Sequence, residues 1–363
     1  MPRTSEKKVL LIGHGLIGRV HARNIMNAAG ISLGAVLTKN PKVHEGFQVI
    51  YGVPFYKELS EIRNLEEFSG VVIATPNNYH LDYMLWALSH NLKVLVEKPV
   101  LNSMADLSSA NFDRLIKNSD NILVGHHRLH GKILSEARRI IGDNFGEVVA
   151  VSVDVVLKKP TVYFEEADWR KKPGAGPIQI NATHEVATLI HLFGRIRCVT
   201  AIGSNSSRGF EVEDTAGICL VFENGIVATL LVSDNCSSVS SWELLSGENP
   251  VYPHVFGHDC IRVHGSENSL FLPSLTKISG GADYDWHKTI MTSCSVPPSA
   301  QFLDPMFAEM QNFSSMLNFG EKPLVNISVG LHILEVTTAV HQSILSRKQV
   351  DVKHLSYSNL DDQ

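Results

Sequence analysis

The first residues with a readable chemistry are Gly13-His14-Gly15-Leu16-Ile17-Gly18, a G-x-G-x-x-G turn. It follows the apolar run Val9-Leu10-Leu11-Ile12 and precedes a helical stretch, residues 19–29, closed by Gly30. A second apolar run, residues 31–37, comes next. In that setting the spacing fits a dinucleotide pyrophosphate. The first glycine permits the tight turn, the second lets the backbone reach the phosphates, and the third lets helix and strand pack closely. Backbone N–H groups at the start of the helix then face the anion. The residue closing the second run selects the cofactor, because a carboxylate there accepts from the ribose 2′-OH and repels a 2′-phosphate. Thr38 and Lys39 stand at that point, and the first carboxylate is Glu45. A hydroxyl and an ammonium suit a 2′-phosphate, so NADP is slightly favoured over NAD. A solvated loop lysine is the other reading of Lys39.

Lys98 lies between Glu97 and Pro99, directly after the strand-like run Lys93-Val94-Leu95-Val96. Ligands of open α/β sheets bind at the carboxyl ends of strands, which makes Lys98 a site candidate. Pro99 fixes the local backbone. His126 and His127 alternate faces if they continue a strand, so at most one of them faces a site. No third ligand stands at metal spacing, and no metal is expected. His184 lies on a mixed helix face, where a lone histidine is more often structural than catalytic.

These residues need elements to hold them. Short apolar runs at residues 70–74, 93–96 and 121–125 alternate with helical stretches at 79–89 and 104–117. That alternation implies a parallel sheet covered on both faces. The pattern changes after about His126. A helix over residues 133–141 is followed by strand-like runs at 147–158, 199–203, 215–223, 226–233 and 260–264. Glu223-Asn224-Gly225 carries a strong hairpin signal. Residues 304–319 and 328–346 return to helix. The expected domains are 1–125, a nucleotide-binding α/β domain, and 126–363, an α+β domain, with the C-terminal helices free to pack back on the first. The stretch 236–241 reads as a loop, and 241–253 as a polar-aromatic insertion between strands.

Composition excludes several classes. The 363 residues carry a net charge of -5, with 44% hydrophobic and 19% charged residues. Mean hydropathy is +0.02. Apolar residues are too plentiful for a disordered chain, and no basic excess points to nucleic acid. Mild acidity also speaks against a membrane-surface binder. The five cysteines are odd in number and form no C-x-x-C pair. They make neither a disulfide framework nor a zinc knuckle. The N-terminus has no signal-peptide core, and no apolar run reaches the ~20 residues of a membrane span. A cytoplasmic location is the expectation.

Three further segments carry a family resemblance. Ala74-Thr75-Pro76-Asn77-Asn78-Tyr79-His80, Glu97-Lys98-Pro99 and the glycine-rich approach from Gly174 through His184 to Gly194 occur in order after the dinucleotide turn. Together they resemble the glucose-fructose oxidoreductase/inositol dehydrogenase (Gfo/Idh/MocA) family over nearly the whole chain. The resemblance implies a Rossmann doubly wound parallel sheet followed by an α+β domain with a large open, mostly antiparallel sheet. It implies an NAD(P)-dependent dehydrogenase or reductase acting on a sugar, polyol or cyclic polyhydroxyl compound. Lys98 would hold the substrate hydroxyl by the nicotinamide, and His184 would be the acid/base. His126 and Asn181 would contact substrate. Gly13, Gly15, Leu16, Ile17, Gly18, Thr38, Lys39, Ala74, Thr75, Pro76, Asn77, His80, Glu97, Lys98, Trp169 and Arg170 would contact cofactor. A homodimer or homotetramer is implied. Many members carry an aspartate four residues before the histidine; Ile180 stands there, beside Asn181, which cannot act as a base. Two other readings stay open: a cofactor-binding regulator without turnover, and a glycosidase using bound NAD.

Overall fold

The computed structural model describes residues 6–40, 45–294 and 304–352. In chain order the first elements are β1 (Lys7–Ile12), α1 (Leu16–Asn27), β2 (Ile31–Leu37), α2 (Glu45–Tyr51), β3 (Phe55–Tyr56), β4 (Phe68–Ile73), α3 (His80–Ser89), β5 (Lys93–Glu97), α4 (Ser109–Lys117) and β6 (Ile122–Gly125). Next come α5 (Lys132–Gly142), β7 (Val148–Val156), α6 (Thr161–Glu165), α7 (Thr183–Phe193), β8 (Ile196–Ser204), β9 (Thr215–Phe222), β10 (Val227–Ser233) and α8 (Trp242–Leu245). The chain continues through β11 (Ile261–Gly265), β12 (Asn268–Leu272), β13 (Thr276–Ser279), β14 (Met291–Cys294), α9 (Pro305–Phe319), α10 (Ile327–Ser346) and β15 (Val350–Asp351).

Backbone contacts divide the described chain into two compact units. One takes in the chain up to His130 together with Pro305–Leu334, and the other takes in Gly131–Asp304 and the chain from Glu335 onward. The division falls after His130 rather than Gly125, because the short turn His127–His130 packs against α9.

The first unit holds a six-stranded parallel sheet in the order β3-β2-β1-β4-β5-β6. Val9, Leu10 and Leu11 are fully buried, as a strand covered on both faces requires. The strand order reverses at β1, which has β2 on one side and β4 on the other. This opens a crevice at the carboxyl ends of β1 and β4. The α9 helix packs on the sheet: Phe313 approaches so closely that a Cβ on Gly70 would lie 2.8 Å from its ring. Ser314 Oγ donates to Ala29 O at 2.7 Å, and Lys93 Nζ donates to Met316 O at 2.6 Å.

The second unit holds a nine-stranded sheet, β14-β13-β12-β11-β7-β10-β9-β8-β15. Only the β7–β10 pair is parallel; the other pairs are antiparallel. The Asn224-Gly225 hairpin joins β9 to β10, with Gly225 at φ +90°. Alternate residues of β8, β9 and β10 are buried and exposed, so one face is core and the other open in the monomer.

One reading of the sequence needs correction. The helix expected over 104–117 is two pieces, a short turn at Met104–Asp106 and then α4. Ser103 caps the start of the first and Ser108 the start of the second, their hydroxyls accepting from the N–H groups of Ala105 and Asn111. The insertion 241–253 lies between β10 and β11 as expected, and it is partly packed: Trp242 is buried and its Nε1 donates to Glu248 Oε2 at 2.8 Å.

Candidate active site

The glycine turn shapes one end of the first unit's crevice. Gly13 takes φ +96°, a region that favours glycine, and a Cβ there would overlap Ala74 O. A Cβ on Gly18 would overlap Gly13 O, so Gly18 lets helix and turn close on each other rather than lining the space. Gly15 is the N-cap of α1, has open space where a Cβ would stand, and offers no side-chain cap to the helix. Uncapped N–H groups at an open helix start, with no acidic residue in the first turn, fit a pyrophosphate.

The crevice encloses about 620 Å³. Gly13, Gly15, Leu16, Ile17, Thr38, Lys39, Ala74, Thr75, Pro76, Glu97 and Lys98 line it, so most of the expected cofactor residues gather there. Lys57, Tyr79, Tyr83, Arg19 and His14 line it too, and the sequence reading did not single these out. Lys39 Nζ donates to Tyr79 OH at 2.7 Å and lies 4.1 Å from the ring centre, which raises the pKa of Lys39 and lowers that of Tyr79. His14 is buried against Phe47, Tyr51 and Phe55, with Nε2 3.2 Å from Tyr51 OH.

Asn77 and His80 do not line the crevice. Asn77 Nδ2 donates to Asn102 Oδ1 at 3.4 Å. His80 is buried, with Nδ1 3.0 Å from Pro99 O and Nε2 2.9 Å from Thr75 O. Burial lowers its pKa, so the neutral ring donates to one of these carbonyls. His80 therefore sits between the Thr75 loop and the segment after Lys98 and bonds to one of them.

Glu97 closes β5 at the crevice floor. Its Oε1 lies 2.8 Å from His21 Nε2, and its Oε2 accepts from the Lys98 N–H at 3.2 Å. Burial alone would raise this carboxyl's pKa. The hydrogen bond and charge of His21, with His127 and Lys98, outweigh it and hold the pKa below the usual carboxylate range. Glu309 of α9 completes a trio whose ligand-type atoms lie within 4.8 Å of one another, a grouping that sequence spacing did not show. The His21–Glu97 pair gives it a structural use: it fixes the carboxylate that holds the Lys98 backbone.

His126 is buried next to this strand end. Burial, then the charges of Lys98 and His127, push its pKa down to about 3. Its ring stays neutral across the working pH range and sits beside Lys98 rather than open to solvent. The stability sign follows. The unfolded chain takes up a proton near pH ~6.5 and the folded chain does not, so His126 costs stability as pH falls from there towards 3. The expected slope is about 1.4 kcal/mol per pH unit. Its ring resonance in proton NMR should not titrate between pH 8 and 5; a midpoint near ~6.5 contradicts this placement.

The second unit carries the other candidates. Gly174 and Gly176 take φ +94° and +87°, and Glu213 lies so close that a Cβ on Gly176 would stand 2.6 Å from Oε1. Glu213 Oε1 accepts from the Ile178 N–H at 3.0 Å. A π-helical turn, Ile178–Ala182, then leads into α7; such turns are frequent at functional sites. Ala182, Thr183 and Glu185 are buried, whereas Asn181 and His184 are half-exposed. Residues three apart on a helical path share a face, so Asn181 and His184 stand on one side, whereas Glu185 is buried. Ile180 is half-exposed in the same turn. Trp169 and Arg170 lie on the short turn Asp168–Lys171. Trp169 is 58% exposed, and the Arg170 guanidinium packs 4.0 Å from the Tyr163 ring centre.

Comparisons agree with this architecture. Residues 7–126 match the model for the oxidoreductase family NAD-binding Rossmann fold, and residues 137–352 match that family's C-terminal alpha/beta domain. The chain belongs to the Gfo/Idh/MocA oxidoreductase family. An oxidoreductase of Formosa agariphila is 27% identical over 206 residues, 54% of this chain and 62% of its own length. The inositol 2-dehydrogenase of Rhizobium meliloti is 21% identical over 359 residues, covering 94% of this chain and 98% of that one. A crystal structure of an oxidoreductase from Agrobacterium radiobacter, in complex with NAD+, L-tartaric acid and magnesium, superposes with a TM-score of 0.77. It shares 17% identity and covers 96% of this chain and 99% of its own. Among the described residues, no helix is long and apolar enough to cross a membrane.

Proposed function

We propose that the chain is an NAD(P)-dependent dehydrogenase or reductase. It transfers hydride between the nicotinamide and a CH–OH or carbonyl group of a sugar, polyol or cyclic polyhydroxyl compound. The carrying observation is the crevice itself, which runs from an uncapped helix start at Gly15 to the lysine at the end of β5. Similarity to inositol 2-dehydrogenase over 94% of the chain supports the polyhydroxyl class.

The first unit would hold the cofactor, which supplies the hydride acceptor or donor. Gly13 and Gly15 bring the backbone to the pyrophosphate. Glu97 and His21 fix the backbone of Lys98, and the Lys98 ammonium orients the substrate hydroxyl and polarises its oxygen. His184 takes the hydroxyl proton during oxidation and returns it during reduction, with Asn181 as a hydrogen-bonding partner of a neighbouring hydroxyl. Trp169 and Arg170 cover the cofactor in this reading. In this reading the unit that runs to His130 and includes Pro305–Leu334 is the cofactor domain, and the other unit is the substrate and assembly domain. The open face of the nine-stranded sheet exposes Ile202, Val227 and Leu231, which suits a homodimer or homotetramer interface. Cys198, Cys219 and Cys236 are free thiols, which supports a reducing, cytoplasmic setting.

NADP is the preferred cofactor in this proposal. Thr38, Lys39 and Lys57 line the crevice where β2 ends, with no carboxylate among them. Lys39→Ala should weaken NADP by about tenfold, ~1.4 kcal/mol, and NAD much less. Fluorescence titration of both reduced cofactors measures this. A wild-type chain that binds NAD tenfold more tightly than NADP refutes the preference. For the activity, a panel of sugars, polyols and inositols with each cofactor, followed at the nicotinamide absorbance, is the direct test. Turnover on a polyhydroxyl compound supports the proposal, and turnover confined to unrelated alcohols contradicts it.

A further inference from the structure

Lys39 and Tyr79 come from loops on either side of β1. Lys39 follows β2, and Tyr79 ends the short turn Asn77–Tyr79 between β4 and α3. Both line the crevice, as do Thr38, Lys57 and Tyr83. The Lys39 ammonium donates to the Tyr79 hydroxyl oxygen at 2.7 Å and lies 4.1 Å from the ring centre. The backbone sets the ring: the Tyr79 N–H donates to Pro76 O at 3.0 Å, and Tyr79 is the N-cap of α3. Tyr79 is half-buried and Lys39 exposed, so the ring is the fixed partner and the lysine is the one held.

The bond between them has a direction. An ammonium only donates, so the phenol oxygen accepts and keeps its own O–H to give to a further acceptor. The Lys39 bond and charge, and then the Asn78 side chain, hold the Tyr79 phenol below the usual tyrosine pKa. A phenol polarised in this way is a stronger donor. The neutral amide of exposed Asn78 is a weaker acceptor than a phosphate oxygen. Lys39 stays charged, its pKa raised chiefly by the same bond; of the other charges that act on it, Tyr83 and Glu58, the Glu58 carboxylate has the smallest effect. An oxyanion at this end of the crevice therefore meets two donors that direct one another. Part of the lysine's ordering has been done before the anion arrives.

We propose that Tyr79 is a specificity-determining residue: its hydroxyl, directed by Lys39, donates to the 2′-phosphate of NADP, so that phenol and ammonium hold one phosphate together. This rests on the reading of the crevice as an NADP site. A charge-assisted hydrogen bond to the phosphate at an open crevice end gives the hydroxyl a share of about tenfold in affinity.

The test is fluorescence titration of the full chain with NADPH and NADH, which differ only in the 2′-phosphate. Wild type should bind NADPH at least tenfold more tightly. Tyr79→Phe keeps the ring under Lys39 and removes only the hydroxyl. It should weaken NADPH about tenfold and change NADH by no more than about twofold. Lys39→Met should also weaken NADPH. Tyr79→Phe added to Lys39→Met should cost about threefold or less, because the hydroxyl has lost the group that directs it. Equal weakening of both cofactors by Tyr79→Phe would place the hydroxyl on the adenosine rather than the phosphate and overturns the proposal. A full tenfold loss in both backgrounds means that the hydroxyl acts without Lys39 and overturns the paired site. A wild type short of the expected preference overturns this proposal, and one that prefers NADH overturns the NADP reading as well. A wild type that prefers NADPH, loses the preference in Lys39→Met and keeps it in Tyr79→Phe overturns this proposal and leaves the NADP reading standing.

Discussion

His184→Ala and Lys98→Met should each lower kcat by ~10²–10⁴-fold, the usual cost of losing an acid/base or orienting group at a reacting hydroxyl. Cofactor affinity should change little in His184→Ala, because His184 belongs to the second unit and does not line the crevice. The two losses should not add fully, since both residues would serve one proton transfer. No aspartate stands ready to substitute, because the position four residues before His184 is Ile180. The pH profile sharpens the test. The limb of the wild-type profile that reports the acid/base should vanish in His184→Ala, whereas loss of a structural histidine would leave it in place. Near-normal kcat in His184→Ala removes it from the chemistry.

Gly13→Ala should weaken NADPH binding by at least 100-fold, about 2.8 kcal/mol. The added Cβ overlaps the Ala74 carbonyl, a backbone atom tied into the sheet where the Ala74 N–H donates to Ile12 O at 2.8 Å. The neighbour cannot swing aside as a side chain would, and φ +96° is itself strained for alanine. The turn must therefore move, taking its N–H groups away from the phosphates. Gly15→Ala, with open space at its Cβ, should be much milder towards the apo fold. Thermal unfolding of both apo variants separates loss of folding from loss of binding. Binding within tenfold of wild type by a folded Gly13→Ala would contradict the assigned role of the turn.

The fold was legible where periodicity and turn chemistry act locally. Val9-Leu10-Leu11-Ile12 reads as a doubly covered strand and is one. Asn224-Gly225 reads as a hairpin and joins β9 to β10. The strands β12, β13 and β14 escaped notice because they are short and their pairing partners, rather than their own pattern, make them strands. The split at Ser108 was missed because a helical period continues across a serine that in fact caps. The site was legible where a motif lies in one stretch of chain, as at the dinucleotide turn. It was not legible where distant residues meet. His21 and Glu97 are 76 positions apart, and Lys39 and Tyr79 are 40 apart. His21 had one local signal, a histidine three residues after Gly18 on the helix face that packs inward. The π-helical turn before His184 depends on hydrogen bonding that composition does not encode.

The central claim is net hydride transfer, and its most direct measurement is stoichiometry over many turnovers. Purified protein, a polyhydroxyl substrate and excess oxidised cofactor are followed together by nicotinamide absorbance and by product analysis. The account predicts one reduced nicotinamide for each carbonyl formed, sustained well beyond one equivalent of enzyme. Cofactor that binds without being reduced would make the chain a regulator. Substrate consumed with no net change in the nicotinamide would make it a glycosidase. Either result contradicts the assignment of a dehydrogenase.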